Sequence, residues 1–283
     1  MFLLWATAIA TAGTLPVGTH HIFSGVSYGT WSSFESKGSE KSLPQSAKVN
    51  QILSHTQYTY GLKDGMDVSI FVPVSNVSAS GVSGNMFEPT SGIGQMGLSS
   101  NVALWNNDVI NLTSRVGVST GALHADNRGR VTNIGDGSTQ LHLGLASSGL
   151  WDVSSGFVRV NARGGYIAKV PSTFDFNPKY PADDVTYGFS IGGGYQGYAL
   201  NLFVDGFYRL DGVDHPASES SEDVPALEAF TALKASQMKI GINDSISFRS
   251  WTVSGYIATS VLAKNNPNNE RIGGIGIGYL IQP

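Results

Sequence analysis

A chain of 283 residues with a net charge of −4 carries only 13% charged residues, where soluble domains carry about 25%. It has no cysteine, which excludes structural disulfides, thiol catalysis and cysteine metal sites, and the lack of a Lys/Arg cluster argues against a nucleic-acid partner. A mean hydropathy of −0.02 excludes a helical membrane protein, yet 35 glycines and 10% aromatics fit a chain whose apolar residues are hidden by alternation.

Residues 1–12, MFLLWATAIATA, form a short apolar run ending in Ala10-Thr11-Ala12, the small-residue pattern of a signal cleavage site. A positively charged start is missing, so the match is incomplete and a first-strand N-terminus is the alternative. The remainder, 13–283, reads as one domain. A first strand is predicted over 22–31, and the Ser, Gly, Glu and Lys of 32–46 read as a long polar loop. Residues 48–62 and 66–78 flank Lys63-Asp64-Gly65, a tight-turn signature, and apolar residues keep to even positions on both arms. After a loop over 79–93, strands follow at 94–105 and 109–121 around Asn106-Asn107-Asp108. A polar loop at 122–137 leads to strands 138–150 and 156–168, joined near Asp152. Residues 169–184 are loop, 185–196 and 198–210 are strands about Gly197, and 211–225 is a further loop. The last three strands are 228–242, 245–262 and 271–281, with a turn at Asn243-Asp244 and a loop at 263–270. Residues 226–235 also suit a short helix, and the apolar phase changes between Phe248 and Trp251, which calls for a bulge or a different register.

The tally is about twelve strands, and short connections alternate with long ones, the loop sorting of outer-membrane barrels. The expectation is therefore an all-β, transmembrane, up-and-down antiparallel β-barrel with both termini on the periplasmic side. Its partners would be outer-membrane lipid, lipopolysaccharide and a small-molecule solute, with no cofactor and no metal.

Opposite the apolar face stand His55, Asp67, Arg115, His142, Arg159, Arg163, Asn201, Asp205 and Arg209. A charge facing lipid at mid-depth costs about 2–4 kcal/mol, so these groups should point into the barrel. There they either line a polar passage or pair with one another and fill a narrow lumen. Trp105 and Trp151 beside short turns, and Trp31 at the entry to a long loop, suit an aromatic girdle. The acidic loop 211–225 lacks calcium-loop spacing and reads as solvated. Gly25-Val-Ser27-Tyr-Gly29 and Gly117-Val-Ser119-Thr-Gly121 spell a nucleophile elbow, and Gly92-Ile-Gly94-Gln-Met-Gly97 a dinucleotide fingerprint, but none of the three leads from strand into helix.

Tyr60-Gly-Leu-x-Asp64-x-x-Asp67 with an apolar strand ending in Val72-Pro73, Ile134-Gly-Asp-Gly137 ahead of Thr139-Gln-Leu-His-Leu143, and the glycine-rich 273–279 together resemble the meta-pathway phenol-degradation outer-membrane proteins. The likeness spans most of 20–281 and implies a transporter-like barrel associated with uptake of aromatic or other hydrophobic compounds. It carries no binding residues over, and the chain departs from it in ending on Ile281-Gln282-Pro283 without an aromatic.

Overall fold

The structure, a computed structural model, describes residues 13–36, 39–43, 47–81, 88–120, 138–170, 183–210, 236–264, 266–268 and 270–283. Its strands are β1 (His20–Trp31), β2 (Ser33–Ser36), β3 (Ser39–Ser42), β4 (Lys48–Lys63), β5 (Met66–Ser80), β6 (Thr90–Ile93), β7 (Met96–Asn106), β8 (Ile110–Thr120), β9 (Thr139–Val153), β10 (Gly156–Val170), β11 (Asp184–Tyr195), β12 (Tyr198–Arg209), β13 (Ser236–Phe248), β14 (Trp251–Lys264), β15 (Asn266–Asn268) and β16 (Arg271–Ile281). Twelve of them form one antiparallel ring in the order β1, β4, β5, β7 to β14, β16. The ring closes where β16 returns to β1, in register from His20↔Ile281 to Thr30↔Arg271.

Local chemistry sets the turns. Gln196 and Gly197 have φ of 47° and 84°, the doubly positive pattern of a two-residue hairpin whose twist matches its strands. Gly65 (φ 71°) and Arg249 (φ 54°) serve the β4–β5 and β13–β14 turns. The turn at Arg249-Ser250 explains the phase change in the sequence: Phe248 pairs with Trp251 across it. The expected turn at Asn243-Asp244 is corrected accordingly. Both residues lie within β13, because the even apolar series Met238, Ile240, Ile242, Ile246, Phe248 runs through them. The part of the expected strand before Ser236, including the segment with helical character, lies outside the described residues, as do residues 1–12 and the acidic loop.

Three other expectations change. The loop over 32–46 holds β2 and β3, and β2 pairs with both β3 and β15 of the last loop in a small separate sheet. Thr90–Ile93, expected as loop, is β6, and it continues along β5 where β7 leaves off. The register steps by one residue between the two, opposite Pro73, whose carbonyl accepts from the Gly94 amide at 3.0 Å. A proline cannot donate to a ladder, so a bulge is where a strand tolerates one. Lys169, Val170 and Asp184, also expected as loop, belong to β10 and β11.

Polarity is inverted relative to a water-soluble protein. Exposed side chains include Ile70, Leu98, Val116, Leu145, Phe189, Leu202 and Ile257, while the buried set holds Asp67, Lys169, Asp184, Asp205, Arg209 and Lys239. A water-soluble monomer rarely exposes an apolar patch beyond a few hundred Å², so hydrocarbon is the solvent this surface fits. Aromatic side chains mark the band's edges: Trp105, Trp151, Tyr195, Tyr198, Phe248 and Trp251 at the turn end, Tyr28, Tyr166, Tyr187 and Tyr208 at the loop end. Tyr198 and Tyr208 are the first and next-to-last residues of β12. At roughly 3.3 Å per residue and a tilt near 40°, that separation is about 25 Å of height, the apolar thickness of an outer-membrane barrel. Trp31 is not part of a belt. It turns inward against a cluster of Leu43, Ala47, Val49 and Val77 at the loop end.

Ile257 lies midway along β14 and is 67% exposed. Ile257→Arg is expected to destabilise the barrel by about 2–4 kcal/mol in reversible urea unfolding from lipid vesicles.

Candidate functional site: the barrel interior

Residues paired across strands share a face, so the register identifies the inner wall. The row Asp67–Asn101–Arg115–Gly144–Gly165–Thr186–Phe207–Gln237 runs through eight strands on that face. A second runs Lys239–Asp205–Gly188–Arg163–Ala146–Thr113. A third joins Asn243, Asn201, Gly192, Arg159 and Leu150. His142 lies beside Ile167 and Gly117, and His55 beside Gly25 and Pro73. The structure thus places Arg115, Arg159, Arg163, Asp205, Arg209, Asn201, His142 and His55 all on the inner wall.

Most of the charges there are spent on one another. Asp184 takes Lys169 at 2.6 Å and Arg209 at 2.9 Å, with all three side chains almost fully buried. Arg163 pairs with Asp205 at 2.7 Å, and Gly188 makes room for the pair, since a Cβ there would lie 2.3 Å from the Asp205 Oδ1. Lys239 meets Glu270 at 2.6 Å. Asp67 accepts from Asn101 Nδ2 at 2.7 Å, and its field acts on Arg115. Lys169, Asp184, Lys239 and Glu270 are absent from the sequence-based set. The alternating phase that marks Arg159 and Arg163 extends to Lys169 and would have found it; Asp184 was hidden by its place at a strand start.

The inner wall is less polar than alternation implies. Phe23, Leu53, Phe71, Ile167, Phe203 and Phe207 are buried on it. The Phe23 ring lies flat on β16, 2.3 Å from where a Gly276 Cβ would stand. His55 is held between Phe23 and Phe71, with ring centroids 5.5 and 5.6 Å away, and among the described residues neither of its ring nitrogens has a hydrogen-bond partner. Ser119 Oγ and His142 Nε2 stand 2.8 Å apart. This pair sits within β8 and β9, and the cationic Arg115 and Lys169 act on the imidazole. Both residues face inward, and the contact forms part of the polar lining.

At the turn end, the segment before β1 folds back over the inner wall. Gly18 (φ 75°) donates to the Gly61 carbonyl and Gly61 to the Thr19 carbonyl, each at 2.9 Å, while the Leu15 amide donates to Asp67 Oδ2 at 3.2 Å. Pro16 lies so close to Gly61 that a Cβ there would come within 1.9 Å of its carbonyl oxygen.

No protein-family model and no curated protein matches the sequence. Among solved structures, the chain is similar to the COG4313 outer membrane channel from Pseudomonas putida F1, with a TM-score of 0.72 and 18% identity over 96% of this chain and 98% of that one. The fold is that of an outer-membrane β-barrel. The β domain of the Bordetella autotransporter BrkA is a more distant likeness, with a TM-score of 0.50 and 8% identity over 94% of this chain and 100% of that one.

Two outcomes follow from the interior contacts. Asp184→Ala removes the carboxylate that two buried cations share and is expected to cost about 3–5 kcal/mol in vesicle unfolding, whereas Asp205→Ala, whose partner Arg163 is 41% exposed, should cost no more than about 1 kcal/mol. Gly61→Val should leave the barrel folded but unseat the N-terminal segment, seen as at least about tenfold faster hydrogen exchange at the Leu15 and Gly18 amides.

Proposed function

We propose that the chain is a passive channel in the outer membrane of a Gram-negative cell, with both termini on the periplasmic side, carrying small solutes without a cofactor. One observation carries this reading: a closed ring of twelve strands has an apolar belt outside and a charged, internally paired wall inside. Lipid and lipopolysaccharide would cover the belt. The apolar residues among the inner charges favour solutes with an aromatic or other hydrophobic body, a class also implied by the resemblance in sequence. The similarity to an outer membrane channel supports the fold on which this rests.

A second reading has its own support. The cluster of Trp31, Leu43, Ala47, Val49 and Val77 at the loop end, and the inward-folded segment at the turn end, would suit an envelope barrel with a plugged lumen. Planar bilayers decide between them. The channel reading expects discrete conductance steps when the purified protein is added; a barrel that inserts and stays closed to ions and to hydrophobic probes overturns it in favour of the plugged one.

A further inference from the structure

Arg159 stands apart from the other inward cations. Arg163, Arg209, Lys169 and Lys239 each meet a carboxylate within 3 Å, and Arg115 lies in the field of Asp67. Among the described residues no carboxylate reaches Arg159, and its ring contact is with Phe157, 5.4 Å from guanidinium carbon to centroid. That ring is seated in turn. A Cβ on Gly194 would lie 2.5 Å from the Phe157 Cζ, so the bare backbone of β11 is what lets the ring lie against the wall. Backbone and ring together form an apolar platform on the wall beside the guanidinium. Directly across the register is Leu150, an apolar side chain 38% exposed on the same inner face. Two positions along β10, Asn161 has a buried Oδ1 with no hydrogen-bond partner among the described residues.

A guanidinium with no carboxylate partner among the described residues matches a solute carboxylate through two parallel N–H···O bonds, and an adjacent leucine and phenylalanine favour an apolar body on that carboxylate. We infer that the inner wall carries a binding site at Arg159, flanked by Phe157 and Leu150, for a small monocarboxylate with an apolar or aromatic body. The inference deepens the channel reading by naming the chemistry of a solute, and it rests on that reading only for transport, not for binding.

The test uses the full-length protein in detergent, with benzoate, acetate and benzyl alcohol titrated by calorimetry or ligand-observed NMR. Wild type should bind benzoate more tightly than acetate and much more tightly than uncharged benzyl alcohol. Arg159→Gln should weaken benzoate at least about tenfold, and Arg159→Lys, which keeps the charge and loses the fork, should fall between. Arg249→Gln, which makes the same change in charge at the exposed β13–β14 turn and not on the inner wall, should bind as wild type does. Benzoate that fails to bind wild type, or binds Arg159→Gln unchanged, overturns the site. Bilayer recordings on the same samples separate the two claims. A protein that binds benzoate through Arg159 but never conducts refutes the channel and keeps the site, and one that conducts with benzoate binding unaltered in Arg159→Gln does the reverse.

Discussion

An unpaired strand edge in hydrocarbon leaves a row of N–H and C=O groups without partners, each costing several kcal/mol, and the ladder between β1 and β16 removes the last such edge. Closure has further consequences for the chain. It brings the two ends of the described structure together at the turn end, where Pro283 packs against Gly18. It also fixes an inside and an outside for every strand, so a single parity decides whether a residue meets lipid or the lumen. A shift of one residue in any register would carry a whole set of side chains to the wrong solvent.

That parity explains why charges can be concentrated indoors. Lys169, Asp184 and Arg209 are costly to bury one at a time, yet the fold brings both cations within 2.6–2.9 Å of the one carboxylate and leaves no member of the set uncompensated. Glycines on the inner wall serve the same purpose from the backbone side. Gly188 beneath Arg163 and Asp205, Gly276 beneath Phe23 and Gly194 beneath Phe157 let large side chains lie against the wall. The interior is thereby arranged by what the wall lacks as much as by what it carries. Arg159 is where an aromatic ring is supplied and, among the described residues, a counter-charge is not.

Much of the architecture was legible because period-two alternation is a physical requirement of a wall with different solvents on its two sides. Strand number, loop sorting and the inward set from His55 to Arg209 all come from it. Where the reading failed, local chemistry outvoted periodicity. Asn243-Asp244 looks like a turn, but an apolar series running through it to Phe248 is the stronger constraint. Trp31 suits the girdle by residue type, but its odd position, shared with Phe23, turns it inward. The ion pairs depend on the stagger between strands, which a sequence does not display. Short strands β2, β3 and β15 have too few residues to show a period at all.

The account depends on hydrocarbon touching one parity of each strand and not the other. Because the chain has no native cysteine, single cysteines along β12 can be labelled with a fluorophore and reconstituted with bromine-bearing lipids. Labels at 200, 202 and 204 should be strongly quenched and labels at 201, 203 and 205 should not. Equal quenching at both parities, or quenching confined to the odd positions, would contradict it.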